Sequence, residues 1–94
     1  MRLAGLDFET ANGCAGSICA AGCGIIQDGE EAETREWLVR PHPDMNWIAS
    51  FCYRVHGIGA CDLEDADEIP SIWPELRDML LSADCVSFTT RRST

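Results

Sequence analysis

The chain has 94 residues, room for one domain with a modest core, and its 46% hydrophobic content is that of a globular protein rather than a disordered one. Sixteen acidic residues against seven basic ones give a net charge of −9, which counts against tight nucleic-acid binding through phosphate contacts alone. No apolar run is long enough to span a membrane, and the N-terminus lacks the basic and apolar regions of a secretory signal, so a cytoplasmic location is expected.

Taken in order, Arg2 to Glu9 reads as a first strand, and Ala11 to Gly16, with Asn12 and Gly13, as a loop. Ser17 to Gln27 is apolar and rich in small residues, as suits a buried central strand. Asp28-Gly29 is a hairpin turn signal. Glu33 to Arg40 alternates, with Glu33, Arg35, Trp37 and Val39 on one side and Thr34, Glu36, Leu38 and Arg40 on the other, as a third strand ending at Pro41. The three strands form an antiparallel meander.

Pro41 to Asp44 breaks the pattern, and Asn46 to Val55 is a short helical or irregular segment leading to His56. Asp62 to Glu68 reads as a solvated acidic connection. Ser71 is a candidate N-cap for a helix carrying Ile72, Leu76, Met79 and Leu80 at helical spacing, with Pro74 in its first turn. Asp84 to Phe88 would start a fourth strand. Trp37, Trp47 and Trp73 read as core residues rather than stacking platforms.

Six cysteines (Cys14, Cys19, Cys23, Cys52, Cys61 and Cys85) include no Cys-x-x-Cys pair, and neither His42 nor His56 stands at zinc-finger spacing. Cys19 and Cys23 fall in an apolar run, where a free thiol acts as a small core residue. Neither a disulfide framework nor a zinc site is expected.

Asp7 and Glu9, two apart on the first strand, share one face, and Phe8 between them turns the other way into the core. Like charges this close repel, and holding a hard divalent cation such as Mg²⁺ or Mn²⁺ is a use for such a pair. Solvated acids at a strand end are the plain alternative.

Leu6-Asp7-Phe8-Glu9-Thr10-Ala11-Asn12 resembles the first motif of the DEDD-type 3′-5′ exonucleases, the DnaQ-like family that includes the proofreading epsilon subunit of bacterial DNA polymerase III. Ser17 to Ile26 resembles that family's second strand, Val55-His56-Gly57-Ile58 its His-Gly-Ile loop, and Ile69 to Leu76 the start of the following helix. The resemblance implies an α/β architecture, the N-terminal part of a ribonuclease H-like exonuclease fold over residues 1–86: a three-stranded antiparallel meander plus helix with an incomplete sheet. It implies Asp7 and Glu9 as catalytic metal ligands in a two-metal site for Mg²⁺ or Mn²⁺. It also implies Phe8, Thr10, His56, Gly57 and Ile58 around the 3′ end of a nucleic acid, single-stranded DNA first. For His56 a structural role is the stronger reading, and for Thr10 turn formation competes evenly.

The same resemblance requires a His-Asn-x-x-Phe-Asp motif after the fourth strand and a third motif carrying a general base. The chain instead reads Val86-Ser87-Phe88-Thr89-Thr90-Arg91-Arg92-Ser93-Thr94. Read from the third base of each codon, Ser87 to Thr94 can encode Val-His-Asn-Ala-Ser-Phe-Asp, so residues 87–94 are expected to be an out-of-frame tail. Seven arginines with no lysine fit the GC-rich codons this requires. The expectation is a truncated exonuclease, inactive alone, with its first strand left at an exposed apolar edge open to self-association or to a polymerase. The alternative is a non-catalytic remnant that binds nucleic acid or a polymerase-associated partner.

Overall fold

A computed structural model describes residues 1–14 and 16–91. The elements are β1 (Arg2–Thr10), β2 (Ile18–Gln27), β3 (Glu30–Leu38), a 3₁₀ turn (Pro43–Met45), α1 (Ser50–His56), α2 (Ala60–Leu63), α3 (Ile69–Leu81) and β4 (Cys85–Arg91). They build a four-stranded sheet in the order β3-β2-β1-β4, antiparallel except for the parallel β1–β4 pair.

The meander follows from its turn. Asp28 and Gly29 both take positive φ, 51° and 87°, the backbone of a tight two-residue hairpin whose twist matches the strands. Pairing therefore starts directly at Gln27 and Glu30, and β3 begins three residues before its alternation does. Ala32 is accommodated by a register shift beside Ile25 and Ile26.

Alternation divides β1 and β2 between two faces. Ala4, Ala21, Cys23 and Ile25 are buried beneath α3, which contributes Ile72, Leu76 and Met79; Leu6, Phe8 and Trp37 pack at the margins. Each fully buried aliphatic side chain of this layer stabilises by about 1.5–3 kcal/mol. Arg35 reaches the helix from β3, pairing with Glu75 at 2.6 Å and lying over the Trp37 ring. A smaller cluster of Ala11, Cys19 and Leu63, joined by Ile48 and Ile58, closes the end of the sheet under α1 and α2.

Several expectations change. α3 starts at Ile69, not Ser71, because Pro70 suits the first turn, where its missing N–H costs no helical bond. Pro74 consequently stands beyond the first turn, inside the helix. The acidic stretch is not all connection, since Leu63 ends a helical turn with its side chain buried. Of the three tryptophans, Trp37 packs against the core, whereas Trp47 and Trp73 are 52% and 45% exposed.

The largest change concerns β1. Leu3 through Glu9 pair in parallel with Cys85 through Arg91, so the first strand lies inside the sheet and the edges are β3 and β4. The closure is clasped at Asp84, whose N–H donates to the Arg2 carbonyl and whose Oδ2 accepts from the Arg2 N–H at 2.9 Å. Residues 92–94 of the proposed out-of-frame tail lie outside the described residues. Among the described residues no helix is long and apolar enough to cross a membrane.

Candidate functional site

The face of the sheet opposite α3 carries Asp7 and Glu9. In register, Asp7 stands opposite Gly22 and Gly22 opposite Glu36; one row along, Glu9 stands opposite Ala20 and Ala20 opposite Leu38. Paired residues share a face, with strands about 4.8 Å apart, so the small residues of β2 form a low floor between an acidic wall on β1 and a mixed wall on β3. A cavity of about 560 Å³ lies over this floor, closed on a third side by Val55, His56 and Ile58. A Cβ on Gly22 would meet Glu36 Cγ at 3.9 Å, so anything larger than alanine would fill the space toward Glu36.

The loop after α1 is held by two devices. Gly57 ends the helix in the left-handed conformation at φ 70°, its N–H donating to the Tyr53 carbonyl at 2.7 Å. His56 then ties the loop to β1. Its Nδ1 accepts from the Ile58 N–H at 3.0 Å, and its Nε2 faces the Thr10 carbonyl at 3.0 Å. A backbone N–H only donates, so Nδ1 carries no proton and Nε2–H is the donor to Thr10.

The turn after β1 is built on buried polar groups. Asn12 Nδ2 donates to the Trp47 carbonyl at 2.9 Å, and Asn12 Oδ1 accepts from the Cys14 N–H at 2.8 Å. The Ser17 hydroxyl donates to the Cys14 carbonyl at 2.6 Å, and the Ala49 N–H donates to the Ala11 carbonyl at 2.8 Å. These bonds fasten the segment before α1 to the end of the acidic strand. Beneath it, burial and then the negative charge of Glu9 push the Cys19 thiol from the ordinary 9.0 up to about 11. Cys23 is also raised, by burial first and then by Glu33.

Of the residues singled out in the sequence, Asp7, Glu9, His56 and Ile58 line one cavity. Phe8 faces away, packed with Ala21, Val39 and Ile72 and edge-on to Phe88 at 5.6 Å between ring centres. Thr10 is buried with its carbonyl engaged, and Gly57 serves the helix end. Sequence reasoning missed the floor residues Ala20 and Gly22 and the β3 wall of Glu36 and Leu38. The period-two pattern of β3 groups Glu36 with Leu38, but nothing local says which side of that strand the helix covers.

The donor set suits a hard cation. Asp7 and Glu9 offer carboxylate oxygens into one cavity that also receives Glu36, and no described residue lining it is cationic. Among the described residues no group of three metal-binding side chains assembles.

An open acidic pocket on a mixed sheet covered on one face by a helix defines the class: an α/β domain with the N-terminal part of a ribonuclease H-like exonuclease fold. Among solved structures, the chain is similar to Exonuclease X in complex with 5′ overhanging duplex DNA, with 27% identity and a TM-score of 0.67 over 79% of this chain and 42% of that one. A 3′-exonuclease solved for 3′-end specific recognition of histone mRNA stem-loop shares the fold at 20% identity and TM-score 0.72, covering 95% of this chain and 45% of that one. Cell-death related nuclease 4 (CRN-4) does so at 17% and 0.70, covering 95% and 34%. The chain thus spans less than half the length of each of these structures. No family model and no curated protein matches the sequence.

Proposed function

We propose that the chain is a DnaQ-like member of the DEDD-type 3′-5′ exonucleases, and that its pocket receives the terminal nucleotide of a nucleic acid 3′ end, single-stranded DNA by preference. The observation that carries this reading is the meeting of Asp7 and Glu9 with an apolar wall of Leu38, Val55 and Ile58 in one cavity. Asp7 and Glu9 would hold Mg²⁺ or Mn²⁺ through their carboxylate oxygens. Bound there, the cation supplies activation of water and stabilisation of charge on phosphate. Leu38, Val55 and Ile58 pack against base and sugar and exclude water, while the floor at Ala20 and Gly22 leaves room for the backbone of the strand.

The proposal extends to these 94 residues taken alone: Asp7 and Glu9 are the acids matched to the family's motifs, and without the further acids and a general base no hydrolysis is expected of them. The out-of-frame reading of residues 87–94 is part of the same proposal. Sequencing the gene decides it: third-position bases that exclude His-Asn-x-x-Phe-Asp in the shifted frame end the idea. The test of function is degradation of labelled single-stranded DNA with Mn²⁺, beside Asp7→Ala. Inactivity of both, with Mn²⁺ binding lost only in Asp7→Ala, is the expected result. Activity abolished by Asp7→Ala would mean that the missing acids come from a partner chain.

A second reading, a binding remnant without catalysis, is favoured by the apolar wall of Leu38, Val55 and Ile58 beside only two of the family's four acids. Oligonucleotide binding that persists in Asp7→Ala would select it.

A further inference from the structure

We infer that His56 is a positioning residue, a neutral strut that sets the distance between the end of the acidic strand and the apolar wall, and that it neither transfers a proton nor contacts the nucleic acid through its ring nitrogens. The inference rests on the reading of the pocket as a nucleotide site.

Both ring nitrogens are committed inside the chain. The Nδ1 lone pair accepts the Ile58 N–H at 3.0 Å, and the Nε2 proton points to the Thr10 carbonyl at 3.0 Å. A neutral imidazole has one donor and one acceptor, so nothing remains to take a proton from water or to donate to phosphate. A proton on Nδ1 would put a donor against a donor, so the observed bonds are those of a ring with a bare Nδ1. The buried Cys19 thiol, 3.9 Å from Nε2, stays protonated and adds no competing charge.

The two bonds act on different parts of the site. Thr10 directly follows Glu9, so the Nε2 bond fixes the end of the strand that presents the carboxylates. Ile58 lines the cavity and also packs on Ala11, Cys19 and Leu63, so the Nδ1 bond fixes the apolar wall. Gly57 between them takes positive φ, which lets the chain double back so that the Ile58 amide meets its neighbour's ring.

The strut comes apart one end at a time. An asparagine amide oxygen stands near the Nδ1 position, and a glutamine amide nitrogen reaches the Nε2 position. His56→Asn should keep the Ile58 bond and lose the Thr10 bond; His56→Gln should do the reverse. In the full chain, ¹⁵N imidazole shifts should show the Nε2–H tautomer. The Ile58 amide should exchange slowly in the wild type and in His56→Asn, and fast in His56→Gln and His56→Ala. Thymidine monophosphate, titrated with Mn²⁺ present at saturation, should bind roughly tenfold more weakly to His56→Ala, the worth of two lost hydrogen bonds. An Nδ1–H tautomer, or an Ile58 amide that exchanges alike in all four proteins, overturns the strut. Equal nucleotide binding by wild type and His56→Ala also overturns it. A wild type that binds neither Mn²⁺ nor nucleotide refutes the pocket's function instead, and the tautomer and exchange data then decide the strut by themselves.

Discussion

The two faces of the sheet are made by the same strands in alternation, yet they are built to opposite rules. Under α3 the positions are Ala4, Ala21, Cys23 and Ile25, all buried and without a charge among them. On the other face the same strands present Gly5, Asp7, Glu9, Ala20 and Gly22, small or acidic side chains, with Leu3 and Ile26 partly exposed at its far end. One face holds the fold together, and the other spends stability to keep a floor open and two like charges close. In β1 the change of rule takes a single residue, from Phe8 in the core to Glu9 in the cavity.

Substitutions should divide along this line. The largest loss is expected on the covered face: Leu76→Ala, at a position 2% exposed, should lower unfolding free energy by about 2–5 kcal/mol in urea titrations. A loss under 1 kcal/mol would mean that α3 is not packed on β1 and β2 as described. Alkali probes the layer at the end of the sheet. With its pKa raised from 9.0 to about 11 by folding, Cys19 holds a proton that the unfolded chain releases, so its contribution is complete below pH 9 and is lost as pH rises toward 11. Cys19→Ser should flatten that alkaline fall in denaturation curves.

At the rim, Gly57→Ala places a Cβ in the left-handed region and should cost about 1–2 kcal/mol, read as a lower melting temperature. The smallest stability effect belongs to the open face. Asp7→Ala should remove Mn²⁺ binding, followed by paramagnetic relaxation, while changing stability by no more than about 1 kcal/mol. A large destabilisation by Asp7→Ala would erase the distinction between the faces.

Much of this arrangement was legible in the sequence, because its signals are local. The Asp28-Gly29 turn dictates its own backbone, the alternation of β1 and β3 separates their sides, and Asp7 with Glu9 falls on one of them. What escaped depends on distant partners. Nothing near Leu3 says that Cys85 will lie beside it, so the first strand read as an edge. The choice of Glu36 and Leu38 as cavity wall depends on where α3 docks. Ser71 matched a capping pattern, but the cap falls three residues earlier, at Glu68, with Pro70 in the first turn. Asn12 read as a loop former, and its burial follows from the segment at Trp47 and Ala49 bonding to it and to Ala11.

The clasp between Arg2 and Asp84 spans 82 residues. A hairpin of adjacent strands closes quickly, whereas a pairing between the two ends of a chain must wait for everything between them. During synthesis, β1 to β3 can assemble as a ladder before the residues of β4 exist. Through that interval β1 is a bare edge, with Leu3, Ala4 and Leu6 beside unpaired amides and carbonyls. The strand bearing the acidic pair therefore depends for cover on the last-made strand of the sheet, and until β4 pairs it is open to mispairing with other chains.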